Sequence, residues 1–402
     1  MRACCTASFS GKSTAEKYRR NAQIRVAIRG IYGTVRRMTQ THDLAPLPAQ
    51  PHGVDWPTAD KAGSDWPTGT AASADHVALG DLLDHAFSDP KGDGSGPDEM
   101  GPTHAFLAVQ GGKLVVEAYA DGYGAAQTYP SWSMAKSILQ ALIGIAVGQG
   151  KLNIFEPLGA PEWPQGDPRA EISWDQLLRM ASGLQFDEDY VDGDISDTIA
   201  MLFGDGKEDM GHYAASKPLV HPVDSVFNYS SGTTNILSRA LSRVLGGGDL
   251  LSQQDFAAFM QTELFDRIGI SSAIPKFDGQ GVWVGSSYCF MTARDFAKFG
   301  LLYLRGGWWG DEQILPNGWV DYARTQSKVP TGADEFQGYG AHWWREIAGP
   351  GTWSANGYGG QYIVLVPEKD LILVRHGDSH EAKGDAVKRW IKDAAACFGP
   401  AA

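Results

Sequence analysis

Apolar positions recur at helical spacing at Leu79, Leu82, Leu83 and Phe87, which predicts a helix over Val77–Phe87. The turn-rich stretch SDPKGDGSGPDEMG ends it. Two β-rich runs, THAFLAVQ and KLVVEAYA, flank Gly111-Gly112 in the pattern of a hairpin. After SWSMAKS, Ser131 to Ser137, the apolar run ILQALIGIAVG reads as a buried helix closed by Gly148 and Gly150. From Ile172 to Gly269 the period is mostly helical, with ISWDQLLRMASG, SGTTNILSRALSRVLGGG and DFAAFMQTELFDRIG as candidate helices. TARDFAKFGLLYLRGG adds another, with Thr292 as its N-cap. Strands return in YGAHWWREI, GTWSANG, QYIVLVPEKD and LILVRHG, an antiparallel meander with PEKD as a turn, and AVKRWIKDAAACF closes the chain as a helix.

Strands at both ends with helices between them predict an α/β (α+β) fold. An antiparallel sheet flanked by helices would form one lobe, at about 76–160 and 275–402. A mostly helical lobe would span about 161–274, and the cleft between the two is the expected place for a site.

With 402 residues, 43% hydrophobic and 20% charged, the chain can bury a large core. A formal charge of −13 argues against a nucleic-acid partner, which needs clustered cations. The charge is uneven. Residues 1–37 hold nine Lys/Arg against Glu16, leaving a net of −21 on the remainder. This basic head has no apolar run of the secretory kind, so residues 1–50 read as a disordered extension and 51–402 as one domain, with Met38 as an alternative start. Residues 43–75, with DWPT at Asp55 and again at Asp65, read as an irregular surface arm anchored by its tryptophans. Cys4, Cys5, Cys289 and Cys397 have neither disulfide nor metal-ligand spacing, which fits a reducing, cytoplasmic compartment. No apolar run approaches the roughly 18–20 residues that span a bilayer, so no membrane partner is expected.

Candidate chemistry starts at Ser133 and Lys136, three residues apart and so on one face of a helix. Lys136 is the only charged side chain between Asp121 and Lys151. An ammonium in apolar surroundings has a lowered pKa and can act as a base near neutral pH. The bland alternative is a Lys136 that reaches solvent and a Ser133 that only caps the helix. Ser-x-x-Lys alone is weak, since about one match is expected by chance in a chain this long. A second copy, Ser88-Asp89-Pro90-Lys91, is broken by its proline. In FNYSSGTTNILSRAL, Tyr229 and Ser231 precede a helix, and a tyrosine beside such a pair can relay a proton. Here the bland alternative is a buried tyrosine with Ser231 as N-cap. WSANGYGGQYIVLVPEKD opens a strand with glycines that let a backbone N–H face a ligand, as an oxyanion hole requires. No Gly-x-Ser-x-Gly, His-Glu-x-x-His, P-loop or dinucleotide-binding pattern is present. His376 and His380 lie in a Gly/Asp/Ser loop and make no expected metal pair, and the acidic cluster FDEDYVDGD reads as a solvated loop.

In order, Ser133-Met-Ala-Lys136, Tyr229-Ser-Ser231 and a glycine-rich strand near Gly357 resemble the serine hydrolases with the class C β-lactamase fold, a group that includes penicillin-binding DD-peptidases, esterases and amidases. The likeness runs from about Asp55 to the C-terminus and includes ISWDQLLRMASGL, similar to the family's ITLxxLLxHTSGL. Within the group the chain is most similar to the 6-aminohexanoate-dimer (nylon-oligomer) hydrolase branch. Asp187-Glu188-Asp189-Tyr190-Val191-Asp192 matches that branch's acidic loop, Ser231 stands where the branch has Ser, and Trp343-Trp344 match its paired tryptophans.

The resemblance implies a serine hydrolase that cleaves a small ester or amide through an acyl-enzyme on Ser133, without metal or cofactor. Ser133, Lys136 and Tyr229 would be catalytic, with Ser231 and Tyr190 at the substrate. The third box aligns with Ala355-Asn356-Gly357, which puts the oxyanion N–H on Tyr358; a rival register, Tyr358-Gly359-Gly360, puts it on Gln361. Neither supplies the lysine of the β-lactamase Lys-Thr-Gly, which puts β-lactam hydrolysis in doubt. The alternatives are a β-lactamase or D-amino-acid peptidase and, from another class, a non-catalytic binding scaffold. The oligomeric state stays open.

Overall fold

The computed structural model describes residues 44–58, 66–189, 196–331 and 338–401. Its frame is a six-stranded antiparallel sheet made of β1 (Thr103–Gln110), β2 (Lys113–Tyr119), β3 (Trp344–Arg345), β4 (Trp353–Gly357), β5 (Gln361–Val366) and β6 (Leu371–Gly377), in the order β2-β1-β6-β5-β4-β3. β1 and β2 form the expected hairpin, and β6 pairs with β1 from Gly377 opposite Thr103 to Leu371 opposite Gln110. The last strands of the chain thus extend the sheet from the β1 side of the first hairpin, which makes the α/β part noncontiguous in sequence.

Among the described residues, five helices are longer than ten residues: α1 (His76–Ala86), α2 (Ala135–Gly148), α3 (Ser231–Leu245), α4 (Ala293–Leu304) and α5 (Gly384–Ala396). Strand side chains alternate between two cores, as the period of two requires. Phe106, Ala108, Val364, Leu371 and Leu373 face α1 and α5 with Leu79, Val387, Trp390 and Ile391. Leu107, Val109, Ile363, Leu365, Ile372 and Val374 join the larger core with α2, α3 and α4. Gly300 lets α4 lie close on the sheet, because a Cβ there would come within 2.9 Å of Ile363. α2 is buried along its length from Ala135 to Val147, which explains its mostly apolar sequence and leaves Lys136, Ser137 and Gln140 as buried polar residues.

Several elements are shorter than their patterns predict. The ISWDQLLRMASG helix is confined to Trp174–Leu178, because Met180 turns left-handed at φ 57°. YGAHWWREI contributes only β3, since His342 and Glu346, at φ 56° and 66°, leave the extended region on either side. DFAAFMQTELFDRIG is helical over Gln253–Met260, continues as one π turn and a 3-10 turn, and stops at left-handed Gly269.

Trp56 packs at a tilt against Trp309, ring centres 4.9 Å apart, and Trp66 is buried with its indole N–H on Arg294 O at 3.2 Å, so both DWPT copies are anchored through their tryptophans. Residues 44–50, within the expected extension, are packed on the body: Arg324 donates to Ala45 O at 2.7 Å and Arg305 to Gln50 Oε1 at 2.9 Å. The basic head, residues 1–37, lies outside the described residues.

Candidate active site

Ser133 sits in a 3-10 turn, Trp132–Met134, that runs directly into α2. Trp132 precedes it at φ 41°, a conformation costly for a bulky residue and typical of functional turns. The turn is held by Ser131, whose hydroxyl donates to Ser287 O at 3.1 Å and accepts from Cys289 N–H at 2.9 Å. Ser133 therefore does not act as a helix cap; no side chain caps either element.

One turn into α2, Lys136 is 1% exposed. Its amine lies 2.9 Å from Ser133 Oγ, 3.0 Å from Ser231 Oγ and 3.1 Å from Ser286 O. Burial, opposed by the Glu188 carboxylate, pushes its pKa down from 10.5 to about 8. The Ser88 twin shows the contrast: Lys91 is exposed and pairs with Asp98.

Tyr229 and Ser231 come from the start of α3. The N-cap is Ser230, whose hydroxyl accepts Thr233 N–H at 2.9 Å, so the Ser231 hydroxyl is left for Lys136. The Lys136 amine stands 4.8 Å from the centre of the Tyr229 ring. Burial first, and then the Glu188 charge, pushes the Tyr229 phenol up, so it is protonated at neutral pH; bonds from Ser133 and Trp344 oppose the shift. The ring of Trp344 lies 5.2 Å from that of Tyr229, whereas Trp343 is fully buried beside Tyr303 at 4.5 Å. The tryptophan pair is thus divided between site and core.

At the far side, Gly357 ends β4 against the turn that carries Ser133, where a Cβ would meet Ser131 O at 2.4 Å. Gln361 pairs with Gly357 across the strands, and its Cβ would lie 3.0 Å from the same added Cβ. It is 2% exposed, its amide N–H donates to Gly377 O at 2.6 Å and its Oε1 is 2.9 Å from His376 Nδ1. Tyr190 lies outside the described residues.

Residues 97–397 match the β-lactamase family. The chain belongs to that family. This β-lactamase-family protein is 24% identical over 305 residues to the 6-aminohexanoate-dimer hydrolase of Paenarthrobacter ureafaciens, over 68% of this chain and 72% of that protein. Its structure is similar to that of a Bacillus anthracis protein assigned as a 6-aminohexanoate-dimer hydrolase, with a TM-score of 0.66 at 19% identity over 90% of this chain and 94% of the other. A family VIII carboxylesterase shares the fold, with a TM-score of 0.58 at 14% identity over 83% and 99% of the two chains. The protein is accordingly a hydrolase of the serine β-lactamase type.

One site residue escaped the sequence pattern. The acidic stretch expected to be a solvated loop is not so at Glu188, whose two carboxylate oxygens accept the Ser231 N–H and O–H, each at 2.6 Å. Its only sequence signal was its place in the stretch shared with the hydrolase branch. Ser286 contributes a main-chain carbonyl, which no residue type announces. Among the described residues, no group of His, Cys, Asp or Glu is placed to hold a metal ion, and no helix is long and apolar enough to cross a membrane.

Proposed function

We propose that the protein cleaves a small ester or amide through an acyl-enzyme on Ser133, as an esterase or amidase similar to 6-aminohexanoate-dimer hydrolase. The observation that carries this reading is the buried Lys136 amine 2.9 Å from Ser133 Oγ, with its pKa lowered to about 8. A neutral amine there takes the Ser133 proton as the oxygen attacks the carbonyl carbon. Tyr229, still protonated, gives its proton to the leaving alcohol or amine and regains one from the Lys136 ammonium. Backbone N–H groups of Ser133 and Tyr358 hold the oxyanion. Water then attacks the acyl-enzyme with the same groups in reverse, and Ser133 recovers its proton. Tyr190, by its resemblance to the branch, would meet the substrate amide.

In the register that puts the oxyanion N–H on Tyr358, Ala355 takes the place of the β-lactamase lysine and is 1% exposed, so no cation is offered to a drug carboxylate there. A phosphonate probe tests the reading: an adduct on Ser133, absent in Ser133→Ala, is expected. Short p-nitrophenyl esters assayed against 6-aminohexanoate-type amides then define the substrate. Nitrocefin turnover matching ester turnover would replace the proposal with a β-lactamase. Folded protein that takes no adduct would replace it with a binding scaffold.

A further inference from the structure

A neutral lysine amine has two N–H donors and one lone pair, so its value as a base depends on which neighbour meets the lone pair. Lys136 has three such neighbours: Ser133 Oγ, Ser231 Oγ and Ser286 O, at 2.9, 3.0 and 3.1 Å. Ser286 O is a carbonyl and can only accept. A serine hydroxyl can accept or donate, and a Ser231 hydroxyl that donated to Lys136 would compete with Ser133 for the lone pair.

Glu188 removes that choice. An ionised carboxylate only accepts, and Glu188 Oε1 lies 2.6 Å from Ser231 Oγ while Oε2 takes the Ser231 N–H at 2.6 Å. The Ser231 hydroxyl hydrogen is therefore committed to Glu188, and its lone pair faces Lys136. With Ser231 and Ser286 both accepting, the two N–H groups of the amine are engaged and its lone pair is left to Ser133.

We infer that Glu188 is a positioning residue which, by holding the Ser231 hydroxyl hydrogen, aims the Lys136 lone pair at Ser133. This inference rests on the hydrolase reading above. The carboxylate is itself fixed from both sides. Thr198 Oγ1 donates to Glu188 Oε2 at 2.9 Å, Asp187 N–H to Asp197 Oδ2 at 2.9 Å, and Asn228 Nδ2 to Phe186 O at 3.1 Å. Its charge lies at the start of α3, where the first N–H groups of a helix favour an anion.

Among the described residues, the other titratable groups around Lys136 are neutral. Tyr229 and, behind it, Tyr339 are pushed up by burial and by the Glu188 charge, and buried His342 is pushed down to about 3. Glu188 is thus the charge that opposes burial at Lys136.

The test is kcat/KM against pH for p-nitrophenyl acetate, with the full chain and its Glu188→Gln, Glu188→Ala, Ser231→Ala, Glu188→Ala/Ser231→Ala and Ser133→Ala variants. Glu188→Gln should move the acid limb to lower pH, a change that a merely structural role would not produce. Glu188→Ala should lower kcat on the order of 10- to 100-fold. The same change should cost markedly less in the Ser231→Ala background, where no competing hydroxyl remains. If Glu188→Ala does not fold, the limb in Glu188→Gln still decides. An unmoved limb, or an equal loss with and without Ser231, overturns the inference. Failure of the hydrolase reading is distinguishable: it shows as activity retained in Ser133→Ala, and the inference falls with it.

Discussion

The ring of Tyr358 stands edge-on to that of Trp132, with centroids 6.0 Å apart, so the end of β4 and the turn that carries Ser133 pack as one unit. Gly357 permits the approach, since a Cβ there would lie 2.4 Å from Ser131 O. Gly357→Ala should therefore push the strand from the turn and lower kcat on the order of 100-fold, the scale of losing one oxyanion donor, with little change in KM. Tyr358→Ala keeps the backbone N–H and should keep kcat within about tenfold. Steady-state kinetics on a p-nitrophenyl ester separates the two.

The lowered pKa of Lys136 sets a pH profile. Activity follows the neutral amine, so kcat/KM should rise with pH and level off above about 8. Lys136→Met should remove this limb and lower kcat about 10²- to 10⁴-fold. A profile with no inflection between neutrality and pH 9 would contradict the assignment.

Lys136→Met should also stabilise the fold. Because the folded pKa lies below the unfolded value of 10.5, the unfolded chain binds more protons between about pH 8 and 10.5, and stability rises with pH across that window. Below it the buried ammonium costs roughly 3 kcal/mol. Removing the amine should raise Tm at pH 7, with a gain that shrinks as pH approaches 10.5. Thermal melts at several pH values read this directly.

Trp343 and Trp344 should respond differently to truncation. Trp343, 0% exposed and packed with Phe299 and Tyr303, should cost about 3–5 kcal/mol on change to alanine. Trp344, half-buried beside Tyr229, should instead alter kcat with a smaller loss of stability. Denaturant unfolding and kinetics on both variants make the comparison.

Gln361→Ala should behave as a structural change. It leaves Gly377 O and His376 without their buried partner, a loss of about 1–3 kcal/mol, while turnover per folded molecule persists. Denaturant unfolding and steady-state kinetics check this, and a stable, folded variant without turnover would show that the Gln361 side chain acts in the site.

What the sequence determined by itself is what depends on near neighbours along the chain. Helical and strand periods placed α1, α2, α3, α4, the first hairpin and the closing strands, because amphipathic faces repeat locally. The three-residue step from Ser133 to Lys136 is likewise local, whereas the sequence left open whether Lys136 is buried or reaches solvent. Tertiary structure decided what depends on segments that meet from afar. Glu188 reaches Ser231 across 43 positions, and Lys136 reaches the Ser286 carbonyl across 150. An acidic side chain in a polar stretch reads the same whether water or a helix start receives it. The difference is made by the N–H and O–H of Ser231, which only folding brings within 2.6 Å of Glu188.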